Sequence, residues 1–364
     1  MTTLLQAGTV LLGRYELSTP IAAGGMGEVW QGRDQRLERV VAVKVLPAAQ
    51  AHTVVSMQRL RLEAHNSARL RHPHVVTLLD YGEDGGAGVL VMEYVDGEAL
   101  SAVLAREKTL PPEEVATILA QAARGLHAAH AAGVIHRDVK PSNLLITGAG
   151  FVKLTDFGIS RHREQPELTA AGMVMGTAHY LAPELAAGGR PSPATDLYAL
   201  GVVAFEMLTG HRPFDGASAV DVVMAHVHDP VPPLPAHVPA HLARTVTGLL
   251  AKDPTGRPRS GAALARSLEA ATASVSPGVR SDSQQRSAAP PSRHPRRWRL
   301  PTVAELRADR VWWTAVLAGL AGVVILGTLL LGSLALATAS RDVPDEPPGQ
   351  VAQRLESNVK DNWW

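Results

Sequence analysis

The spacing of apolar residues changes along this chain. Short runs rich in β-branched residues come first: Val41-Ala42-Val43-Lys44-Val45 and Val89-Leu90-Val91-Met92 are bounded by turn signals and predict strands. Farther on the period becomes helical. Pro111-Pro112-Glu113-Glu114 puts proline and acid in a first turn, after which Val115, Ile118, Leu119, Ala122, Leu126 and His130 recur at helical spacing. Strands early and helices later predict an α+β chain in two lobes, a small β-rich one followed by a larger helical one.

From about Ala271 the texture is different. The run SVSPGVRSDSQQRSAAPPSRHPRRWR is rich in Ser, Pro, Gln and Arg and has too few apolar residues to bury a core. Then Val311 to Ser340 contains no charged residue, and a bilayer-spanning helix needs about 20 predominantly apolar residues. The expectation is a transmembrane helix over 311–337, with Trp312 and Trp313 as interfacial anchors. Residues 291–310 hold six arginines, against Arg341, Arg354 and Lys360 among five acids after Ser340. The positive-inside rule then puts the N-terminal part in the cytoplasm and the tail outside. The N-terminal MTTLLQAGTVLLGR has no basic region and too short an apolar run for a secretory signal.

This gives an N-terminal segment (1–14), a globular region (15–268, divided at 95/96), a basic juxtamembrane linker (271–310), the span, and a short tail (340–364). The linker and span make membrane lipid an expected partner. Small residues at Ala318/Gly322 and Thr328/Gly332 have the spacing of a helix–helix contact, so a second copy of the chain is another. Val351, Leu355, Val359 and Trp363 recur every four residues and could lie on the outer surface.

Composition narrows the chemistry. The 364 residues carry a net charge of +1, so no charge imbalance points to nucleic acid. There is no cysteine, which removes disulfides, thiolate metal sites and a thiol nucleophile. Only six of the 35 basic residues are lysines, and two of those, Lys44 and Lys140, fall inside motifs.

Those motifs come in order. Ile21-Ala22-Ala23-Gly24-Gly25-Met26-Gly27-Glu28-Val29 is a glycine-rich hairpin, whose backbone N–H groups can approach phosphates that a Cβ would hold away. Lys44 lies in a strand, where an inward lysine is costly unless paired. His136-Arg137-Asp138-Val139-Lys140-Pro141-Ser142-Asn143 follows, then Asp156-Phe157-Gly158, Ala182-Pro183-Glu184 and Ala251-Lys252-Asp253-Pro254. In this order and spacing they resemble the protein-kinase signatures over roughly residues 14–268, most of all the eukaryote-like serine/threonine kinases of bacteria.

The resemblance implies a two-lobed kinase fold and phosphoryl transfer from ATP with Mg²⁺ (Mn²⁺ as a substitute) to protein Ser/Thr hydroxyls. Asp138 would orient the hydroxyl and accept its proton, Lys140 would meet the γ-phosphate, and Asn143 and Asp156 would hold the metal. Lys44 would hold the α- and β-phosphates and pair with Glu63. The adenine site would have Val29 and Ala42 as roof, Leu145 as floor, Met92 as gatekeeper, and the backbone of Glu93 and Val95 on the adenine edge. Ala22 stands where the first loop glycine is usual, a departure that a β-region backbone tolerates. Glu184 would pair with Arg257, Asp196 would brace the catalytic loop, and Thr177 would bond Asp138 and Lys140. Arg137 beside Asp138 suits an anion, which related kinases supply as a phosphothreonine between DFG and APE; here that would be Thr169. A pseudokinase scaffold would lack a member of Lys44, Asp138, Asn143 and Asp156, and this chain has all four. A small-molecule phosphotransferase would lack the segment Gly176-Thr177-Ala178-His179-Tyr180 before APE.

Overall fold

The computed structural model describes residues 5–24, 27–46, 70–157 and 178–274. The expected linker beyond Ser274, membrane span and tail, together with Glu63, Thr169 and Thr177, lie outside the described residues. Among the described residues no helix is long and apolar enough to cross a membrane.

The N-terminal lobe is a six-stranded antiparallel sheet: β1 (Val10–Leu11), β2 (Tyr15–Gly24), β3 (Gly27–Asp34), β4 (Arg39–Leu46), β5 (Leu78–Asp84) and β6 (Ala87–Glu93), in spatial order 1-2-3-4-6-5. Both strands expected from β-branched runs are present and extend a residue or two beyond them. Their two-residue period sorts side chains between two faces. Val41, Val43, Val45, Val89 and Val91 join Tyr15, Leu17 and Trp30 in one core cluster. Ala42, Leu90 and Met92 pack with Leu78 in another, on the face that also carries Lys44. A one-residue register slip would put Lys44 into the valine cluster. Asp34 is buried where β3 ends; the Arg14 guanidinium holds it through two 2.7 Å bonds and keeps its carboxyl down at about 2. Tyr15 donates to Asp80 at 2.6 Å, tying β2 to β5.

The C-terminal lobe starts with β7 (Gly97–Ala99), α1 (Leu100–Glu107) and α2 (Pro112–Ala131). Pro111 caps α2, Pro112 opens it, Glu113 and Glu114 face its positive end, and the expected apolar positions through Leu126 are buried. The hairpin β8 (Leu144–Thr147) and β9 (Val152–Leu154) extends β7 into a second antiparallel sheet. Phe151 precedes β9 and is 55% exposed, because its backbone closes the hairpin turn on Thr147.

Then come α3 (Pro183–Ala186), α4 (Pro193–Thr209), α5 (Ala219–His228), α6 (Ala240–Leu249) and α7 (Gly261–Ser274). Helix α4 has a Ser192/Thr195 capping box, ends on left-handed Gly210, and is buried at every residue from Thr195 to Phe205. A helix apolar on all sides is the core of its lobe. Helix α7 runs to Ser274, past the expected linker start at Ala271, since Ala270-Ala271-Thr272-Ala273 carries no helix breaker.

Gly125 shows how tightly α2 is packed. A Cβ there would lie 2.5 Å from the His74 carbonyl oxygen and 2.8 Å from Leu154 Cδ1. Gly125→Ala is expected to destabilise the fold by about 1–3 kcal/mol despite alanine's better helix propensity. Gly248→Ala, with open space at its Cβ, is expected to raise stability by about 0.4–1 kcal/mol. Thermal unfolding of both variants, read as shifts of opposite sign in Tm, checks the contrast.

Candidate active site

Lys44 is 6% exposed on β4, and its Nζ lies 2.6 Å from Asp156 Oδ1, an ion pair that joins the two lobes. Pairing answers the desolvation cost of an inward lysine. Asp156 follows β9 in a left-handed conformation, φ 59°. Next to it, Phe157 is buried in the core, its ring 4.5 Å from that of His136.

The catalytic segment is braced from below. Asp196, 1% exposed in α4, accepts the backbone N–H groups of His136 and Arg137 at 2.8 Å and lies 2.7 Å from His130 Nε2. These bonds hold a turn in which Arg137 has φ 65°. The fully buried His136 ring reaches the Thr155 carbonyl at 2.9 Å, and burial pushes its pKa down, so it stays neutral. The Thr155 N–H donates to the Asn143 carbonyl at 3.0 Å. Asn143 and Asp156 are thereby fixed on neighbouring strands of backbone.

Asp138 is oriented from one side. Its Oδ2 lies 2.7 Å from Lys140 Nζ and accepts from Asn143 Nδ2 at 3.1 Å, while the same Nδ2 donates to the Asp138 carbonyl at 2.8 Å. Asp138 Oδ1 has no partner among the described residues, so it is available to an incoming hydroxyl. With its amide N–H group turned toward Asp138, the Asn143 side-chain oxygen faces away; it accepts from Ser142 Oγ at 3.4 Å and keeps a lone pair for a cation. That oxygen and the Asp156 carboxylate are hard donors of the kind Mg²⁺ takes. The residues present fit the ion.

Val29, Ala42 and Leu145 are half-buried apolar residues, and Met92 is 7% exposed behind Ala42, its partner across the β4–β6 ladder. Ile21, Ala22, Ala23 and Gly24 are exposed in β2, with Ala22 paired to Val29 just after a register shift that begins at Pro20, while Gly25 and Met26 lie outside the described residues. Gly27 returns the chain at φ 113°, with the Val45 carbonyl where a Cβ would go. Glu93 ends β6, and Val95 lies in the connection to β7. Among the described residues, Lys44 pairs with Asp156; its expected partner Glu63 is outside them.

The expected pair of Glu184 and Arg257 is present as two parallel 2.8 Å bonds. Tyr180 donates to Glu206 at 2.6 Å, and burial pushes its hydroxyl pKa well up. Sequence reasoning missed several supports. Lys153 reaches Glu93 at 2.7 Å, and Lys252 donates to the carbonyls of His226 and Ala225 at the end of α5. The rarity of lysine was the available signal for both.

Buried His226 was missed as well. It donates from Nε2 to the His179 carbonyl and accepts from Tyr198 at Nδ1, which anchors the segment before APE to α5. Burial pushes its pKa down to about 4. Between that value and about 6.5 the unfolded chain takes up a proton that the folded one refuses, so stability falls as pH drops through this window. The expected loss from this side chain approaches 3 kcal/mol by pH 4. Urea titrations from pH 7 to 4 should show it, with a flatter pH dependence in His226→Gln.

The protein kinase domain family matches residues 15–268. Serine/threonine-protein kinase PknA of Mycobacterium tuberculosis is 46% identical over 277 residues, which cover 75% of this chain and 64% of that protein. Serine/threonine-protein kinase PknL of Mycobacterium bovis is 38% identical over 302 residues, 79% of this chain and 76% of that protein. The crystal structure of the Mycobacterium tuberculosis PknI kinase domain aligns with a TM-score of 0.60 at 30% identity, over 74% of this chain and all of that domain. With the lysine–aspartate pair, the braced catalytic loop and the helical lobe already in place, the chain belongs to the protein kinase domain family, among the bacterial eukaryote-like serine/threonine kinases.

Proposed function

We propose that the chain transfers the γ-phosphate of ATP to Ser and Thr hydroxyls of cytoplasmic proteins. The observation that carries this is Asp138, held by Lys140 and Asn143 on Oδ2, with Oδ1 unpartnered among the described residues and open to the substrate hydroxyl. The hydroxyl oxygen attacks the γ-phosphorus, its proton passes to Asp138, and the bond to the β–γ bridging oxygen breaks to release ADP. Lys44 and Lys140 neutralise phosphate charge, and most of the catalysis lies in that positioning. The hairpin at 21–29, Ala42, Met92, Leu145 and the backbone of Glu93 and Val95 are the proposed walls of the nucleotide cleft. Asn143 and Asp156 would hold Mg²⁺, which, when bound, supplies charge neutralisation at the phosphates.

The reading extends to regulation and place. Thr169 stands between DFG and APE, and its autophosphorylation would add about −1.5 to −2 charges near Arg137. The arginine-rich linker and the uncharged stretch from Val311 to Ser340 support a single-pass protein of the cytoplasmic membrane, kinase domain inside. The test is the purified full chain with labelled ATP and Mg²⁺. The expected result is phosphoserine and phosphothreonine without phosphotyrosine, abolished by EDTA. No label on any protein acceptor would overturn the proposal. Thr169→Ala is expected to lower activity several-fold and to leave ATP affinity largely unchanged, as read by steady-state kinetics and calorimetry.

A further inference from the structure

Behind the connection between the lobes runs a groove of about 620 Å³, a size common for ligand sites. Arg39 and Arg71 stand on it as cations, and Val40, Leu79, Pro73 and Tyr94 add apolar surface. Val40 is 50% exposed, unusual for a valine at the start of a sheet strand. The two guanidiniums are poorly engaged. Among the described residues Arg39 makes only a 3.5 Å contact with Asp34, whose carboxylate is already held by Arg14 at 2.7 Å through both oxygens. Arg71 has no ion pair or hydrogen bond among the described residues. The acid on the groove, Glu93, is neutralised by Lys153 at 2.7 Å. The surface is therefore cationic at its charged end and apolar along the rest.

We propose that this groove docks an extended protein segment in which acidic residues adjoin an aliphatic or aromatic one. Carboxylates would take the two arginines in bidentate pairs, and the apolar residue would cover Val40 and Leu79. A free phosphate would leave the apolar part unused, and a bilayer surface meets protruding rather than recessed groups. Docking here touches the nucleotide cleft from behind. Glu93 donates its N–H to the Thr77 carbonyl at 2.9 Å, and Thr77 donates back to the Glu93 carboxylate at 3.3 Å. Thr77 and Glu93 both line the groove.

The test needs no catalysis and so stands apart from the kinase reading. A random peptide library is selected on the full chain, and the enriched peptides are labelled for fluorescence anisotropy. The expected peptides carry acids beside an apolar residue. They keep their affinity in Asp138→Asn and in saturating ATP, and lose about ten-fold or more in Arg39→Ala/Arg71→Ala, whose melting temperature matches the parent's. Peptides without acidic bias, or equal binding to the double variant, would overturn the proposal. So would a drop in oligomeric state of the double variant by sedimentation, which would make a second copy of the chain the occupant.

Discussion

Asp138→Asn is expected to lower the turnover number by about 10²–10⁴-fold, the range for loss of a positioned general base. The substitution is isosteric and opens no cavity, so the loss reads chemistry rather than folding. A carboxamide can still accept through its oxygen, but it has no charge to hold Lys140 Nζ, now 2.7 Å from Oδ2, and it cannot take the hydroxyl proton. Asn143 keeps its 2.8 Å bond to the Asp138 backbone carbonyl, so the candidate metal ligand stays oriented. ATP affinity should therefore change little. Lys44→Met should differ: it removes the cation that faces Asp156 at 2.6 Å and would contact the phosphates, so both affinity and rate should fall. Single-turnover kinetics with calorimetric ATP titration separates the two patterns. Near-parental turnover in Asp138→Asn would remove that residue from the proton-transfer role.

The catalytic loop was legible because its chemistry is contiguous in the chain. Asp138, Lys140 and Asn143 lie within six residues, and the structure brings their side chains into one hydrogen-bonded group. The strands were legible because β4 and β6 alternate two apolar faces, which also places Lys44 opposite the valine cluster. The supports were harder to see. His130 was counted as part of the apolar face of α2, yet its Nε2 meets Asp196 sixty-six residues away. Tyr198 and His226 are each ordinary helix residues until α4 and α5 pack and bury their 2.8 Å hydrogen bond. Periodicity reports which face of an element is inward. It does not report which polar groups meet there, because that depends on how several elements dock. Lys153 and Lys252 show the intermediate case: lysine scarcity marked them, but nothing local named Glu93 or the end of α5 as their partners.

Arg257→Ala is expected to cost about 3–5 kcal/mol of stability, the range for breaking a buried ion pair from one side. Measured against a total of about 5–15 kcal/mol, that leaves a marginal fold. The Arg257 side chain is 0% exposed, pairs with both Glu184 oxygens at 2.8 Å and donates to the carbonyls of Ala251, Ala194 and Lys252. It also lies 4.8 Å over the Tyr198 ring. Truncation to alanine removes one donor from each of three carbonyls and leaves the Glu184 carboxylate with Thr195 as its remaining side-chain donor among the described residues, at 3.0 Å. Glu184→Gln should cost less, about 1–3 kcal/mol, because the arginine keeps its three carbonyl acceptors and a neutral amide oxygen. The pair also has a pH signature. Burial pushes the Glu184 carboxyl pKa up, but the bonds and charge of Arg257, together with bonds from Glu184's own N–H and from Thr195, outweigh it and leave the pKa below its ordinary value. A carboxyl depressed in the folded state contributes stability that is complete above its unfolded pKa and is lost as pH falls through the folded one. Arg257→Ala should reduce that acid-side loss along with the stability itself. Urea unfolding followed by far-ultraviolet circular dichroism at neutral and acid pH tests both parts. Equal costs for Arg257→Ala and Glu184→Gln would mean that the three carbonyl bonds contribute nothing, and that the ion pair alone ties APE to the end of the lobe.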